Sequence, residues 1–190
     1  MALKKMKLNT KQLLGTTALL TCFASNGAFA EDLSKCIVGW RSTEAGNHLD
    51  AVAHFQACIA QGQLTDSSLA RTYRNIGIAY RRAKEPMKAI EAYDKAIALK
   101  PGDVASDYIN RGNAYDEANM FKEAMADYDK ALELKPGFGE VFYNRGISYE
   151  RQQMREKAKA EFIAAYEHGL RSPGLYERFV VYGLTKPSQQ

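Results

Sequence analysis

The sequence predicts an all-α fold in which pairs of helices stack into a solenoid, and two observations lead to this prediction. The first is a pattern that occurs three times with one internal spacing: an aromatic residue, then Gly after four positions, Tyr after three, Ala after nine, an aromatic residue after four and Ala after three. The second is its period, because the copies begin 35 and 34 residues apart, at Tyr73, Tyr108 and Phe142. A fixed period of this size indicates stacked units that share one core.

The first thirty residues have the three parts of an export signal. Four lysines precede an apolar stretch that runs from Leu13 to about Ala24, and Ala28-Phe29-Ala30 then forms a small-x-small cleavage site. The apolar stretch is too short to cross a bilayer. We therefore expect residues 1–30 to be a signal peptide. The mature chain is expected to be periplasmic, with secretion as the alternative, and to have no integral membrane segment.

Removal of this segment changes the charge of the chain. The full sequence has 26 basic and 22 acidic residues, and residues 1–30 contain four lysines and no acidic residue. The mature chain therefore has 22 residues of each sign and no net charge. A neutral chain gives no compositional support for binding nucleic acid or an anionic membrane, so we expect a protein or peptide partner.

Residues 31–69 carry a degenerate copy of the pattern. Gly39, Ala51 and Phe55 keep its spacing of Gly, Ala after twelve positions and an aromatic residue after four. Ser42 stands where the complete copies have Tyr, so the first helix of this unit is poorly specified. Terminal units of a stacked array are commonly atypical, because one of their faces is not covered.

Two cysteines, Cys36 and Cys58, remain after the signal peptide is removed together with Cys22. An even number of cysteines in an exported protein indicates a disulfide bond, and two buried free thiols are the alternative. Cys36 would lie on the first helix of the degenerate unit and Cys58 on the second. In a strict repeat register they are offset by about 5 Å, one helical turn, so the disulfide predicts that this unit departs from the register.

The three complete copies span residues 70–171, and each of them predicts two helices. In the first copy, the residues from Tyr73 to Tyr80 fit one helix, while Ala89 to Ala96 follow the i, i+4, i+7 spacing of a second. Small residues at these positions allow two helices to cross at close distance. A larger side chain there would overpack the crossing at a cost of about 1–3 kcal/mol.

Residues 172–190 predict a capping helix followed by a short tail. Ser172 and Pro173 form a helix start, with Ser as the N-cap and Pro at the first helical position. Leu175 and Phe179 can then cover the last apolar face of the array.

The repeated pattern resembles the tetratricopeptide repeat, a helix–turn–helix unit of about 34 residues. The resemblance covers residues 70–170 and departs from the family pattern at few positions. Tyr or Phe stands in place of Trp, Arg111 and Arg145 replace Leu before the glycine, and Leu170 replaces the final Pro. The resemblance implies an all-α solenoid of three clear repeats, one degenerate N-terminal repeat and a C-terminal capping helix, of an exported bacterial type.

The resemblance also implies where a partner binds. Proteins of this family hold ligands in a concave groove that is lined by the first helix of each repeat. The corresponding residues here are Arg71, Arg74 and Ile78, then Ser106, Ile109 and Asn113, then Glu140, Tyr143 and Ile147. An asparagine also recurs in each of these helices, as Asn75, Asn110 and Asn144. These amides bond either to a ligand backbone or only to neighbouring helices.

The charges around this groove are mixed. Its first end is basic, with Arg71, Arg74, Arg81 and Arg82. Its middle and far end are acidic, with Asp116, Glu117, Glu140 and Glu150. An extended or helical peptide with an acidic end and apolar anchors would fit such a groove, and the alternative is that these charges are ordinary solvated faces.

One known specificity of the family does not fit this groove. Relatives that clamp the C-terminal carboxylate of a chaperone use five basic or amide positions. The matching residues here are Arg74, Ile78, Asn110, Glu140 and Asn144. The carboxylate of Glu140 opposes such a ligand, so we do not expect this clamp.

The sequence shows no set of residues typical of catalysis or metal binding. His48 and His54 are six positions apart and do not share a helix face, as zinc ligands at i and i+4 would. Asp127 and Asp129 lack the glycine turn and closing Glu of a calcium loop, so we expect them on a solvated face. We expect no enzyme activity, no cofactor and no metal.

These observations predict a scaffold that binds a protein or peptide partner in its concave groove. The alternative is a self-assembling structural protein of the cell envelope that stacks through its terminal helices. In that case Leu175 and Phe179 would pack on a neighbouring copy, and the protein would be a homo-oligomer.

Overall fold

The computed structural model describes residues 28–62, 64–99 and 104–185, and these form nine α-helices and no strand. The helices are α1 (Ala28–Glu44), α2 (His48–Ala60), α3 (Asp66–Arg82), α4 (Pro86–Leu99), α5 (Val104–Glu117), α6 (Phe121–Leu134), α7 (Gly139–Arg151), α8 (Arg155–Glu167) and α9 (Pro173–Val181). The predicted all-α fold is confirmed. The expected signal peptide lies outside the described residues, apart from its last three residues, which belong to α1.

The helices pair in the order of the chain. Each of α2, α4, α6 and α8 folds back on the helix before it, which gives four helical hairpins. The hairpins pack side by side, and the odd-numbered helices α1, α3, α5 and α7 contact one another in succession. These helices line the inner, concave face, while the even-numbered helices form the outer face. The predicted helix–turn–helix solenoid is therefore confirmed.

The contact between Gly77 and the ring of Tyr93 sets how closely α3 and α4 approach. A Cβ atom at residue 77 would lie 2.6 Å from a carbon of that ring, so only glycine fits without a shift. The same pairing occurs in the other hairpins, between Gly39 and Phe55, Gly112 and Tyr128, and Gly146 and Phe162. The sequence analysis expected the helix backbones to meet at these glycines, but a ring from the second helix fills the space.

The turns within the three complete repeats share one backbone conformation. Lys84, Asn119 and Gln153 have φ angles of 63°, 62° and 60°, in the left-handed region. The next residue in each turn donates its backbone N–H to the carbonyl of a repeat tyrosine, at 2.9, 2.8 and 2.9 Å. This bond satisfies a carbonyl in the last turn of the helix, as in a Schellman motif. Equal turns give the three repeats equal hairpins.

The first hairpin keeps the repeat geometry although its sequence is degenerate. Gly39 faces the ring of Phe55, as in the other hairpins. Cys36 on α1 and Cys58 on α2 are joined by a disulfide with a Cα–Cα distance of 5.4 Å, which is within the usual range for such bonds. The sequence analysis expected the disulfide to require a departure from the repeat register, but both features occur in the same hairpin.

The helix α9 covers the end of the array, as the sequence predicts. The hydroxyl of Ser172 accepts a hydrogen bond from the backbone N–H of Leu175 at 3.2 Å, and Pro173 follows as the first helical residue. Leu175 and Phe179 are buried against Phe162 and its neighbours on α8. Within the described ranges, every helix is too short or too polar to cross a membrane.

Candidate functional site

The concave face contains the residues that the sequence analysis placed in a binding groove. Arg71 and Glu140 are exposed there, at the N-terminal ends of α3 and α7. The following candidates are half-buried: Arg74, Ile78, Ser106, Asn110, Asn113, Tyr143, Asn144 and Ile147. Ile109 differs from them, because only 3% of it is exposed.

Arg74 is engaged by a buried carboxylate and is not a free cation in the groove. Its guanidinium donates to both oxygens of Asp107 on α5, with an Nη2–Oδ2 distance of 2.8 Å. Asp107 has no exposed surface. This bidentate ion pair ties the first complete repeat to the second. The sequence analysis did not identify Asp107, because the two residues are 33 positions apart on different helices.

Further ion pairs join α3 to α5, α5 to α7 and α7 to α9 along the concave face. They are Arg81–Glu117 at 3.0 Å, Arg151–Asp116 at 2.7 Å and Arg178–Glu150 at 3.2 Å. The charges of the basic and acidic ends expected from the sequence are therefore largely neutralised by ion pairs with neighbouring helices. Arg71, Arg82 and Glu140 are the exceptions, since none of them forms an ion pair within the described part of the chain.

Several predicted contact residues belong to the core or are covered by α9. Ile109 packs in a buried cluster with Tyr128 and Val141, so it is not available to a partner. Tyr143 and Ile147 pack against the cluster around Phe162 and α9. The sequence predicted α9 as a cap but not that it would cover these groove residues, because α9 occupies the place beside α7 that a further odd-numbered helix would take.

The asparagines of the concave face do not share one environment. Asn113 accepts a hydrogen bond from the hydroxyl of Tyr128 at 2.7 Å, so it holds α5 to α6. The side-chain nitrogen of Asn144 is buried and has no hydrogen-bond partner among the described residues. Asn75 lines a cleft between α1 and α3.

An open cleft of about 110 Å³ lies at the N-terminal end of the concave face, between α1 and α3. It is lined by Trp40, Thr43, Glu44, Phe55, Asn75, Ile78 and Arg82. Trp40 is 56% exposed and is the only tryptophan of the chain. Trp40 was not among the predicted groove residues. It directly follows Gly39, as the groove candidate Ile78 directly follows Gly77, so Trp40 occupies the same groove position in the degenerate unit.

The arginines that replace the family's Leu form ion pairs between the helices. Arg111 donates to both carboxylate oxygens of Asp127, at 2.8 and 2.7 Å, and to Asp94 at 2.6 Å. Its hydrogen bonds to Asp127 hold the pKa of the guanidinium above its usual value. Arg145 repeats this arrangement with Asp129 at 3.0 Å and Glu161 at 2.5 Å.

The expectation that Asp127 and Asp129 form a solvated face is wrong for Asp127. Asp127 is only 5% exposed, and burial raises the pKa of its carboxyl group although Arg111 opposes this. Asp129 is exposed but is paired with Arg145. Both carboxylates lie on α6. Arg111 on the preceding helix α5 is 16 residues from Asp127, and Arg145 on the following helix α7 is 16 residues from Asp129, so each carboxylate meets one arginine.

In the first complete repeat, an apolar contact takes the place of the ion pair between Arg111 and Asp127. Ile76 stands at the position of Arg111, and Ala92 stands at the position of Asp127. Both lie in the core cluster around Phe55. A second cleft of about 280 Å³ opens at this place on the outer side, between Tyr73, Tyr80 and the lysines of α4.

The described residues contain no group of three or more His, Cys, Asp or Glu side chains that could hold a metal ion. His48 and His54 are half-buried, and His168 stacks on Phe142 with ring centroids 4.7 Å apart.

Three solved structures share the architecture of this chain. MamA is 23% identical, the match covers 93% of this chain and 100% of that chain, and the TM-score is 0.62. YrrB, described as a TPR protein with an unusual peptide-binding site, is 19% identical over 75% of this chain and 71% of that chain, with a TM-score of 0.61. The first TPR of Spaghetti (RPAP3), solved with the HSP90 peptide SRMEEVD, is 22% identical over 63% of this chain and 94% of that chain, with a TM-score of 0.54. A comparison with curated protein sequences gave no match.

Sequence models of one family match most of the repeat array. Two models, both described as tetratricopeptide repeat, match residues 43–102 and 105–138. The next hairpin, α7 and α8, has the same contact between glycine and an aromatic ring and the same turn as the matched repeats. The chain therefore belongs to the tetratricopeptide repeat family.

Proposed function

We propose that this chain is an exported scaffold, without enzymatic activity, that binds a protein or peptide partner on its concave face. The open cleft between α1 and α3 carries this proposal. There, the exposed Trp40 lies beside Ile78 and Arg82. Farther along, ion pairs join the helices and α9 covers α7. An exposed aromatic residue beside an arginine is typical of the residues that dominate binding at protein interfaces.

Two of the structural neighbours support a peptide as the partner. YrrB is described as having a peptide-binding site, and the Spaghetti domain was solved with a bound peptide. The fold of this chain offers the same kind of inner face, built from successive first helices of the repeats. The specificity of this face must come from its own side chains, because fold alone does not determine a ligand.

The export of the chain is supported by the pattern of residues 1–30 and by the paired cysteines. Disulfides persist in oxidising compartments such as the periplasm, and Cys36 and Cys58 lie at bonding distance. We propose the periplasm as the location, with secretion as the alternative. Cell fractionation with N-terminal sequencing of the recovered chain tests this. A periplasmic chain that begins after Ala30 is expected, and a cytoplasmic chain that keeps residues 1–30 would contradict it.

Crosslinking and capture from the cell envelope test the binding function. The expected result is a partner that the wild-type chain captures and that the Trp40→Ala, Arg82→Ala double variant loses. The matched control is Met87→Ala, Lys122→Ala, which changes two exposed residues of the outer helices α4 and α6. Loss of the partner only in the control variant would place binding on the outer face and contradict the proposal.

Self-assembly is the second candidate, and exposed apolar residues at both ends of the array favour it. On α9, Val180 is 82% exposed and Val181 is also exposed, while α1 exposes Ile37 and Val38. An end-to-end contact between two different surfaces joins successive copies into a filament, unless the copies close into a ring. The expected interface differs from the sequence prediction, because Leu175 and the neighbouring Phe179 are buried within their own chain.

Light scattering at increasing protein concentration distinguishes this second candidate from a monomeric scaffold. A mass that rises with concentration in the wild type and stays at the monomer value in Val180→Asp would support end-to-end assembly. A monomer at all concentrations would exclude it.

A further inference from the structure

Four residues of α3 form a continuous stripe at the N-terminal end of the concave face. Arg71, Asn75, Ile78 and Arg82 follow one another at intervals of four, three and four residues, a spacing that keeps side chains on one face of a helix. Asn75, Ile78 and Arg82 line the cleft beside Trp40. The stripe therefore has a polar and apolar centre between two arginines.

The two arginines of the stripe differ from the other arginines of the concave face. Arg74, Arg81, Arg151 and Arg178 each form an ion pair with a neighbouring helix. Arg71 and Arg82 are exposed, and neither has an ion pair or hydrogen bond within residues 28–62, 64–99 and 104–185. They are therefore positioned to meet carboxylates that come from outside the chain.

The centre of the stripe fits one aliphatic side chain. Ile78 is half-buried at the cleft, and the indole of Trp40 is exposed beside it. A cleft of about 110 Å³ is small, which favours one branched aliphatic group over a larger aromatic one. Glu44 is the acidic residue among the described lining residues, and its charge weakens the attraction of a carboxylate to Arg82.

From this geometry we propose that the partner is an extended peptide segment with an aliphatic residue between two acidic residues. The proposal deepens the proposed function and rests on it, since it concerns the same concave face. Arg71 and Arg82 are 11 residues apart on α3, which is about 16 Å along the helix. Ile78 lies about 10 Å from the Arg71 end and about 6 Å from the Arg82 end. Successive side chains of an extended chain point to opposite sides, so peptide residues that face α3 are an even number of positions apart. Two positions match the distance to Arg82, and four match the distance to Arg71 to within about 3 Å, which the long, exposed Arg71 side chain can span.

These distances predict the motif Glu-x-x-x-Leu-x-Glu for a peptide that runs parallel to α3, and Glu-x-Leu-x-x-x-Glu for the opposite direction. In both, the aliphatic side chain enters the cleft beside Trp40 while the carboxylates meet Arg71 and Arg82. The acidic residues provide specificity and the aliphatic residue provides the anchor.

A fluorescence titration of the purified chain tests the proposal directly, because Trp40 is its only tryptophan. The probes are two glycine-flanked peptides, Glu-Thr-Ser-Thr-Leu-Thr-Glu and Glu-Thr-Leu-Thr-Ser-Thr-Glu. One of them is expected to change the emission of Trp40 in a saturable way. A version with Lys in place of both Glu residues, and a version with the two Glu residues adjacent, are expected to bind at least tenfold more weakly.

Variants of the chain test the assignment of each charge. Arg71→Ala and Arg82→Ala are expected to weaken binding about tenfold each, whereas Lys122→Ala on the outer face leaves it unchanged. Glu44→Gln is expected to strengthen binding. Arg82→Glu is expected to lose the acidic peptide and to bind a peptide in which the facing Glu is Lys. Circular dichroism of each variant checks that its helices are intact.

Failure of this inference can be told apart from failure of the proposed function. Absence of binding by both acidic peptides, or binding that tolerates either arginine substitution, would overturn the proposed motif. The proposed function survives that result if the cellular partner is still lost in the Trp40→Ala, Arg82→Ala variant. If that variant keeps the cellular partner and the wild-type chain binds neither peptide, both are wrong.

Discussion

The guanidinium of Arg74 donates to both carboxylate oxygens of Asp107, and Asp107 has no exposed surface. This pair joins α3 to α5 across the boundary between two repeats. Together with the ion pairs farther along the concave face, it means that most of the arginines there stabilise the array. Charges available to a partner are concentrated at Arg71, Arg82 and Glu140.

The two partners of this pair are expected to differ in the cost of their removal. Arg74→Ala leaves Asp107 charged and buried, so we expect a loss of about 3–5 kcal/mol in the free energy of unfolding. Asp107→Ala leaves Arg74 with about a quarter of its side chain exposed to water, so the loss is expected to be smaller. Urea unfolding of both single variants and the double variant measures this. Equal losses would contradict the assigned burial.

The ion pair between Arg74 and Asp107 makes Arg74 a poor choice for a binding experiment. If Arg74 were only a groove contact, as the sequence predicts, it could be replaced without affecting the fold. Its pairing with Asp107 means that Arg74→Ala lowers stability and binding together. Arg82→Ala is the more informative variant, because Arg82 is exposed and has no ion pair within the described chain.

Replacing Arg111 by the residue usual in the family is expected to be harmful. Arg111→Leu leaves the carboxylate of Asp127 buried without its bidentate partner, with an expected loss of about 3–5 kcal/mol. The Arg111→Leu, Asp127→Ala double variant reproduces the apolar contact of Ile76 and Ala92 in the first complete repeat.

The double variant is therefore expected to recover at least half of the stability that Arg111→Leu loses. Thermal and urea unfolding of the three variants provide the measurement. If Arg111→Leu were as stable as the wild type, the ion pair of Arg111 with Asp127 would contribute little, and this explanation of the arginines would be wrong.

A methyl group at Gly77 is expected to destabilise the first complete repeat. Its Cβ would lie 2.6 Å from the buried ring of Tyr93, so α3 and α4 would have to move apart. Gly77→Ala should lower the free energy of unfolding by about 1–3 kcal/mol. Gly174→Ala is the control, since its nearest contact is the hydroxyl at the end of the Tyr143 side chain, which can move. A larger loss at Gly174 than at Gly77 would contradict the packing argument.

Two buried tyrosines predict a loss of stability at alkaline pH. Burial raises the pKa of both Tyr93 and Tyr128 well above the usual value of 10. The unfolded chain releases these protons near pH 10 and the folded chain keeps them. Their contribution to stability is therefore complete below pH 10 and is lost as pH rises through the folded-state pKa. Between these pH values, the free energy of unfolding should fall by about 1.4 kcal/mol per pH unit for each tyrosine.

Urea unfolding between pH 9 and pH 11 measures this slope. The control is the Tyr93→Phe, Tyr128→Phe double variant, which places at these sites the residue that Phe55 and Phe162 provide in the other hairpins. The double variant should have a clearly shallower slope. An unchanged slope would mean that other groups cause the alkaline loss.

The repeat architecture was predictable from the sequence because it depends on local spacing. Gly77 and Tyr93 are 16 residues apart within one unit, and the same spacing recurs in every hairpin. The turn at Asn119 was predictable from the tolerance of asparagine for the left-handed region. Features of this kind recur in each repeat unit, so the sequence alone shows their pattern.

The functional surface was less predictable, because it depends on contacts between different units. The pair of Arg74 and Asp107 and the cover of Tyr143 by α9 join residues about 30 or more positions apart, with no repeated spacing to indicate them. Ile109 was assigned to the groove by its position, but it is buried in the core. Trp40 was overlooked because the degenerate unit was not included in the groove.

Photo-crosslinking from residue 40 in intact cells is the most direct test of where this protein binds its partner. A benzoylphenylalanine in place of Trp40 is compared with one in place of Lys122 on the outer face, with and without the acidic peptides. We expect an adduct with a second protein from residue 40 only, and the peptide that binds in vitro should abolish it. An adduct from residue 122 alone, or one from residue 40 that both acidic peptides leave intact, would show that the partner does not bind at the cleft beside α3.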